Sequence, residues 1–362
     1  MRSYLDHAAT SPLRASAVAA MVEAMGLLGN PSALHASGRA AKASLEDSRE
    51  SIAADLGAHP TEVVLTSGGS EADSIAVLGT MGSAGAIVSA VEHPAVLGAV
   101  AREARIWPVT GDGLLGEPPD GPADVVSVMM VNNETGVLGE LGRAARLARE
   151  RGALLHTDAV QAVVHVGFAF GDLPLDLASV SAHKLGGPVG IGALLVRRGV
   201  EPAAIGLGGG QERKVRSGTQ PVVLAAGFAA ALREATRLFA DETARYARWQ
   251  ADVLAMALAI PGASSATAGA PSSPHIVNVT FAGVRADDLL FLLDREGIDA
   301  SVGSACRAGV HQPSEVLLAM GRTPDEAAGS VRFSFGHTTT NEDVAALLRV
   351  LPDAVVRARS AW

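Results

Sequence analysis

The hydrophobic and polar positions along the chain alternate between two kinds of segment. Short apolar runs of four to seven residues read as buried strands, and longer stretches with helical spacing read as amphipathic helices. The spacing predicts a helix over residues 13–28, with Val18, Met21, Val22, Met25 and Leu28 on one stripe, and Gly29-Asn30-Pro31-Ser32 ending it. A second helix is predicted from Ala36 to Leu56, and a strand over Glu62–Thr66 that runs into Ser67-Gly68-Gly69-Ser70, with a helix from about Glu71. Then come a strand at Ala86–Ser89, a helix opened by Glu92-His93-Pro94, and a short strand near Trp107. Val125–Val131 reads as one continuous buried strand, followed by a helix to about Gly152 and a strand ending at Asp158. Two more apolar runs, Leu177–Val180 and Ile191–Val196, flank Ser181-Ala182-His183-Lys184-Leu185-Gly186-Gly187-Pro188.

Strands alternating with helices over residues 60–200 predict a wound α/β sheet, mostly parallel, with helices on both faces. Past it, residues 222–260 read as mostly helical, and Pro261–Pro274 interrupts them. A smaller α+β part follows: a strand at Ile276–Phe281, a helix near Asp287–Glu296, a strand at Val331–Phe335, and a last helix that Asn341 caps. The expected division is a large domain of residues 13–245 and a small one made of residues 1–12 and 246–362.

Composition narrows the function classes. The chain has 362 residues, more than one core usually serves, and 48% of them are hydrophobic. A formal charge of -9 argues against a broad nucleic-acid-binding face. No apolar run has the length of a membrane span, and the N-terminal residues lack the apolar region of a signal peptide, so a cytoplasmic location is expected. The single cysteine, Cys306, excludes an internal disulfide framework and a multi-thiolate zinc site; no metal is expected.

In a wound sheet the ligand sits beyond the carboxyl ends of the strands. Those ends here carry Ser67-Gly68-Gly69-Ser70, Asn132-Asn133, Asp158 and Ser181–Lys184. Strand, glycines and helix start make an anion site, with Ser70 able to cap the helix or meet a phosphate oxygen. Neither the P-loop spacing nor a dinucleotide fingerprint is present. A lysine for a Schiff base, an acid facing a pyridine nitrogen, phosphate donors and a flat partner for the ring are what pyridoxal 5'-phosphate requires. Lys184, Asp158, Gly69 with Ser70, and His93 are of those types. Taken singly, each is also an ordinary surface lysine, helix cap or core histidine.

The chain resembles the cysteine desulfurases of the NifS/IscS type, within the class V aminotransferase family. The resemblance rests on Tyr4–Thr10, Gly29–Ser32, Thr66–Glu71, Glu92-His93-Pro94, Asn132-Asn133-Glu134 and His156-Thr157-Asp158. It continues through Ser181–Lys184, Gly208–Arg213, Arg216–Thr219, Gly303–Cys306 and Arg332–Gly336. It implies the fold of PLP-dependent transferases of type I, and pyridoxal 5'-phosphate as cofactor. It also implies that Lys184 carries the cofactor, that Asp158 pairs with the ring nitrogen, and that Gln161 bonds the ring oxygen. By the same resemblance His93 stacks on the ring and assists proton transfer. Gly69, Ser70, Ser181 and His183 would hold the phosphate, with Thr219 reaching across from a second subunit of a homodimer. Asn30, Asn133 and Arg332 would hold the substrate carboxylate, a guanidinium fork suiting that task. Asn133 is also placed beside the cofactor.

The implied reaction converts L-cysteine to L-alanine, with sulfur passing to Cys306 as a persulfide. The persulfide would serve an acceptor such as an iron–sulfur scaffold, or thiolated products. A thiolate is the reactive form, and adjacent Arg307 would favour it. The alternatives are a selenocysteine lyase or another PLP-dependent β-lyase or aminotransferase, and, from another class, a non-catalytic sulfur-trafficking scaffold.

Overall fold

The computed structural model describes residues 2–100, 104–267, 269–303 and 313–360. Its centre is a seven-stranded sheet. The spatial order is Val63–Thr66, Gly192–Val196, Leu177–Ser181, Leu154–Asp158, Val125–Ser127, Ala86–Ser89 and Ala104–Trp107. Gly192–Val196 runs antiparallel to both its neighbours; every other pairing in the sheet is parallel. Six strands therefore point their carboxyl ends to one edge.

Side chains alternate between the two faces, as the strand period requires. Leu65, Ile87, Val126, Leu155, Ala178 and Leu195 face one way, into a core shared with helices Ala36–Asp55, Leu141–Arg151 and the first half of Val222–Leu258. Val64, Leu177 and Leu194 face the other way, against Ala72 and Ile75 of helix Gly69–Leu78. Ala86 and Val88 join that second face, against Val77 and Val96. With apolar helices on both sides, the strands are uniformly apolar and buried, which is why they read as unbroken runs.

The 37-residue helix Val222–Leu258 belongs to two cores. Phe228 and Leu232 pack on the large sheet, while Tyr246, Trp249 and Val253 pack with Val277, Phe281, Phe333 and Leu347. That second core lies on an antiparallel sheet, in the order Ser330–Ser334, Ile276–Phe281 and Ala263–Ser265. Helices Ala286–Arg295 and Asn341–Arg359 pack on the same core. Leu5 belongs to this core too, and Ser3–Tyr4 pairs in parallel with Ile298–Asp299. The N-terminal residues thus run between the antiparallel sheet and the carboxyl edge of the large one.

Several local expectations are corrected. The first helix covers only Ala15–Ala24, and its stripe is not core: Val22 is 63% exposed and Leu28 83%. The helix docks on the long helix through small residues instead, with Ala17 buried and Met21 over Gly227, where an added Cβ would lie 2.6 Å from Met21 Cγ. The run from Val125 forms a regular strand only to Ser127. Val128 and Met130 still donate to the carbonyls of His156 and Asp158, so the chain stays paired while bending toward Asn132. The helix expected from Glu71 begins at Gly69, so Ser70 lies inside it and does not cap it; Gly68 is the cap residue, with no side chain to offer. The last helix is capped by Thr340, in a reciprocal box with Asp343, and not by Asn341. Asn341 instead accepts a hydrogen bond from the Trp249 indole at 2.8 Å.

Among the described residues no helix is long and apolar enough to cross a membrane, and no cluster of three or more His, Cys, Asp or Glu side chains could hold a metal.

Candidate active site

The carboxyl edge of the large sheet opens into a cavity of about 450 Å³. Its walls come from five strand ends and from the antiparallel sheet. They include Gly69, Ser70, His93, Asn133, Asp158, Gln161, Ser181, His183, Lys184 and Arg332, all expected from the sequence. Asn30 and Thr219 do not line it. The Asn30 side chain accepts from Ser32 N at 2.9 Å, closing a local turn. Cys306 and Arg307 lie outside the described residues; Gly303 and Pro313, on either side, border the cavity.

Lys184 is placed by a short 3-10 turn, Ala182–Leu185, directly after strand Leu177–Ser181. Gly186 closes the turn with a left-handed φ of 89°, a conformation that costs glycine little. Arg14 locks it from behind, donating from Nε to the Leu185 carbonyl at 3.0 Å and holding Glu242 with both terminal nitrogens at 3.0 and 2.8 Å. A buried arginine paired in this two-pronged way is rigid. The Lys184 amine then donates to the carbonyls of Ala8 and Ala9 at 2.7 and 2.8 Å. Burial pushes it down to about 8, with nearby Arg332 adding to the effect.

Asp158 is buried, and one carboxylate oxygen accepts from Val160 N at 2.8 Å. Burial raises its affinity for a proton, against the pull of His93 and Lys184. His93 caps its helix through Nδ1, which accepts from Ala95 N at 3.1 Å, and burial lowers its proton affinity. Gln161 donates from Nε2 to the Ala8 carbonyl at 2.8 Å. Arg332 donates to the Asn133 carbonyl and to Asp6 at 2.7 Å each, which joins the two sheets across the cavity.

Several polar atoms here have no hydrogen-bond partner among the described residues: Ser181 Oγ, Arg332 Nε and Asp73 Oδ1. Buried groups of this kind normally find partners, so their orphaning marks a place built for a polar guest. The first amides of helix Gly69–Leu78 face the same problem, because a helix start leaves its N–H groups without intrahelical acceptors. Gly69 is tight there: an added Cβ would lie 2.7 Å from Val160 Cγ2.

Sequence reasoning missed a second layer of acids. Asp73 and Glu92 also line the cavity. Burial pushes Glu92 up to about 8, with Asp158 contributing, while its oxygens accept from Met129 N at 2.6 Å and Ser127 Oγ at 3.3 Å. Burial and Asp158 likewise raise Asp73 well above the usual carboxylate range. Behind them His156 is clasped between Ser127 and Ser179 hydroxyls at 2.9 and 3.0 Å, and burial pushes it down to about 3. A carboxylate amid apolar residues on a helix, Asp73 between Ala72 and Ile75, was the one available sign. Glu134 was also missed as a tie: it accepts from the Ser314 hydroxyl and lies against Gly303, where an added Cβ would lie 3.2 Å from its Oε2.

The profile of the class-V aminotransferases matches residues 3–347. An "IscS-like cysteine desulfurase" of Mycobacterium tuberculosis is 41% identical, over 99% of this chain and 98% of its own. "Cysteine desulfurase NifS" of Azotobacter vinelandii is 35% identical, over 99% and 93%. Among solved structures, a NifS-like protein from Rickettsia africae superposes with a TM-score of 0.89 at 27% identity, covering 98% of this chain and 99% of that one. DndA from Streptomyces lividans gives 0.73 at 33% identity, covering 91% and 99%. The chain belongs to the class-V aminotransferase family, in its cysteine desulfurase branch.

Proposed function

We propose that the protein is a cysteine desulfurase that uses pyridoxal 5'-phosphate, converts L-cysteine to L-alanine and passes the sulfur to Cys306. The observation that carries this is the meeting, in one cavity, of a lysine with a lowered pKa, a buried acid and an unpartnered serine hydroxyl at a helix start. These residues fit the cofactor. Ser181, His183, Ser70 and the amides from Gly69 onward would hold its phosphate, Asp158 its ring nitrogen, Gln161 its ring oxygen, and His93 the face of its ring. When bound, it withdraws electrons from the substrate's α carbon and so weakens the bond from β carbon to sulfur.

The remaining work falls to this chain. Lys184, as the free amine, would hold the cofactor by its aldehyde and would move a proton at the substrate's α carbon. Arg332 and Asn133 would orient the substrate carboxylate; of the Arg332 nitrogens, Nε has no partner among the described residues. The Cys306 thiolate attacks the substrate sulfur. A sulfur–sulfur bond forms, the carbon–sulfur bond breaks, and its electron pair stays with the carbon skeleton, which takes up protons to become alanine. An acceptor thiol would then take the sulfur for iron–sulfur cluster assembly or thiolation.

We also read the chain as a homodimer with Thr219 contributed across the interface. Val18, Val22, Met25 and Leu28, on and just after the first helix, and Leu34 and Leu207 are exposed apolar side chains that a second subunit would cover. The two cores that share the long helix support a large and a small domain, with residue 246 at the start of the second core.

The test is direct. Cofactor-free protein mixed with pyridoxal 5'-phosphate should develop visible absorbance that borohydride fixes onto Lys184, and the loaded protein should release alanine from L-cysteine. Protein that stays colourless, or a Lys184→Ala variant that colours normally, would refute the reading.

A further inference from the structure

We propose that His275, held flat against His165, is a positioning residue for the site: it fixes the amide of Gln161 and, through the Ala8 carbonyl, the amine of Lys184. The inference rests on the reading above, in which Gln161 and Lys184 meet the cofactor.

Ala8 O receives both Gln161 Nε2, at 2.8 Å, and Lys184 Nζ, at 2.7 Å. A carbonyl oxygen only accepts, so the Gln161 atom facing it must be the NH2 group. That choice turns Gln161 Oε1 toward His275 Nε2, 3.1 Å away. Oε1 only accepts as well, so His275 must carry its proton on Nε2. Its other nitrogen, Nδ1, lies 2.6 Å from the Ser273 hydroxyl and accepts from it. Every orientation along the chain from Ser273 through His275, Gln161 and Ala8 to Lys184 is thereby determined. One Gln161 N–H is used by Ala8, and the other is left for the cavity that Gln161 lines.

The histidine ring is itself clamped. His165 stacks on it with centroids 3.7 Å apart and planes within 9°. His165 is held in turn by its main-chain N–H, which donates at 3.0 Å to the carbonyl of Ala162, the residue after Gln161. The residue before His165 is Val164, with a left-handed φ of 63°. That backbone is costly for a β-branched side chain and persists only where surrounding contacts enforce it. The main-chain N–H of Phe335 fixes the other ring's backbone, donating to the His275 carbonyl at 2.8 Å. Burial, with His165, Arg332, His7 and Lys184 nearby, keeps His275 neutral, as a single-proton relay of this kind requires. A space-filling role would need neither the hydrogen bonds at both ring nitrogens nor the strained approach.

The test compares cofactor binding in wild type, His275→Phe, Ser273→Ala, Gln161→Ala and the double variants His275→Phe/Gln161→Ala and Ser273→Ala/Gln161→Ala. His275→Phe keeps a flat buried ring against His165 and removes both hydrogen bonds. Pyridoxal 5'-phosphate is titrated into cofactor-free protein, and both the dissociation constant and the position of the visible band are read. His275→Phe should weaken binding roughly tenfold, the scale of one buried hydrogen bond, and move the band. Ser273→Ala should act in the same direction by less, and it carries the test should His275→Phe not fold. In the Gln161→Ala background His275→Phe should change neither quantity, because its action passes through that amide. The inference is overturned if His275→Phe, or Ser273→Ala in its place, matches wild type in both, or if the effect of either persists in full without Gln161. A wild type that binds no cofactor refutes the proposed function itself, and this inference with it; a wild type that binds, beside unaffected variants, refutes the inference alone.

Discussion

Lys184 and Arg332 line one cavity with like charge, and the guanidinium adds to the burial that lowers the lysine's pKa. Burial and the guanidinium together hold the amine at about 8, whereas Asp158 and Asp6 pull the other way. The amine is therefore partly free near neutral pH, when an ordinary lysine is almost wholly charged.

That relationship predicts a pH effect. Condensation of the cofactor-free protein with pyridoxal 5'-phosphate should accelerate as pH rises through about 8. Arg332→Ala removes a repelling charge, so the midpoint should move to higher pH. Stopped-flow absorbance across pH 6–10, about two units either side of that midpoint, measures it; an unmoved or lowered midpoint in the variant would contradict the electrostatic account.

Glu92 gives a second prediction. Its folded-state pKa is raised to about 8 from an ordinary 4.5, so the folded protein holds a proton that the unfolded chain has lost. The stability linked to this proton is full below 4.5 and is lost as pH climbs to 8, at about 1.4 kcal/mol per pH unit for one proton. Glu92→Gln keeps an acceptor for Met129 N and cannot ionise. Urea unfolding should show the variant gaining on wild type steadily from pH 5 to pH 8, a span inside that window.

The histidines act in the opposite sense. Burial pushes His7, His156 and His165 down to about 3 and His183 and His337 to about 4, and it holds His275 well below the usual imidazole range. Below about 6.5 the unfolded chain takes up protons that the folded one refuses, so stability falls as pH falls. Unfolding at pH 5 should require less urea than at pH 7 and should bind protons, as calorimetry in buffers of different ionisation enthalpy would register.

Gly192 links sheet and site. A Cβ there would lie 2.4 Å from the Val180 carbonyl and 2.8 Å from Gly68 Cα. Gly192→Ala should destabilise the protein by about 2–4 kcal/mol, the range of severe packing conflicts, and should weaken cofactor binding by displacing the helix start at Gly68. Thermal unfolding together with cofactor titration tests both halves.

The strand ends were legible in sequence because both faces of the sheet are covered, which makes each strand a solid apolar run closed by polar residues such as Asp158 and Ser181. The site was legible to the same extent, since Lys184, Gly69 and His93 follow those runs directly. What escaped was of two kinds. The carbonyls of Ala8 and Ala9, which receive the lysine, are backbone atoms and leave no mark in a sequence. Gln161 and His275 meet only because the long helix brings the antiparallel sheet against the large one. The stripe from Val18 to Leu28 was misplaced for a different reason: periodicity reports an apolar face but not what covers it, and within one subunit Ala17 and Met21 already fill the contact with the long helix. Asn341 is of a capping type, but the neighbouring Thr340 has Asp343 three residues on to complete the box.

The measurement closest to the central claim is one turnover of the loaded protein with L-cysteine, read by amino-acid analysis and by mass spectrometry of the peptide that contains Cys306. The account predicts alanine in amount equal to the cofactor and a gain of one sulfur atom on Cys306, both lost in Lys184→Ala and the sulfur lost in Cys306→Ser. Alanine formed with no sulfur on Cys306, or formed equally well by Lys184→Ala, would contradict it.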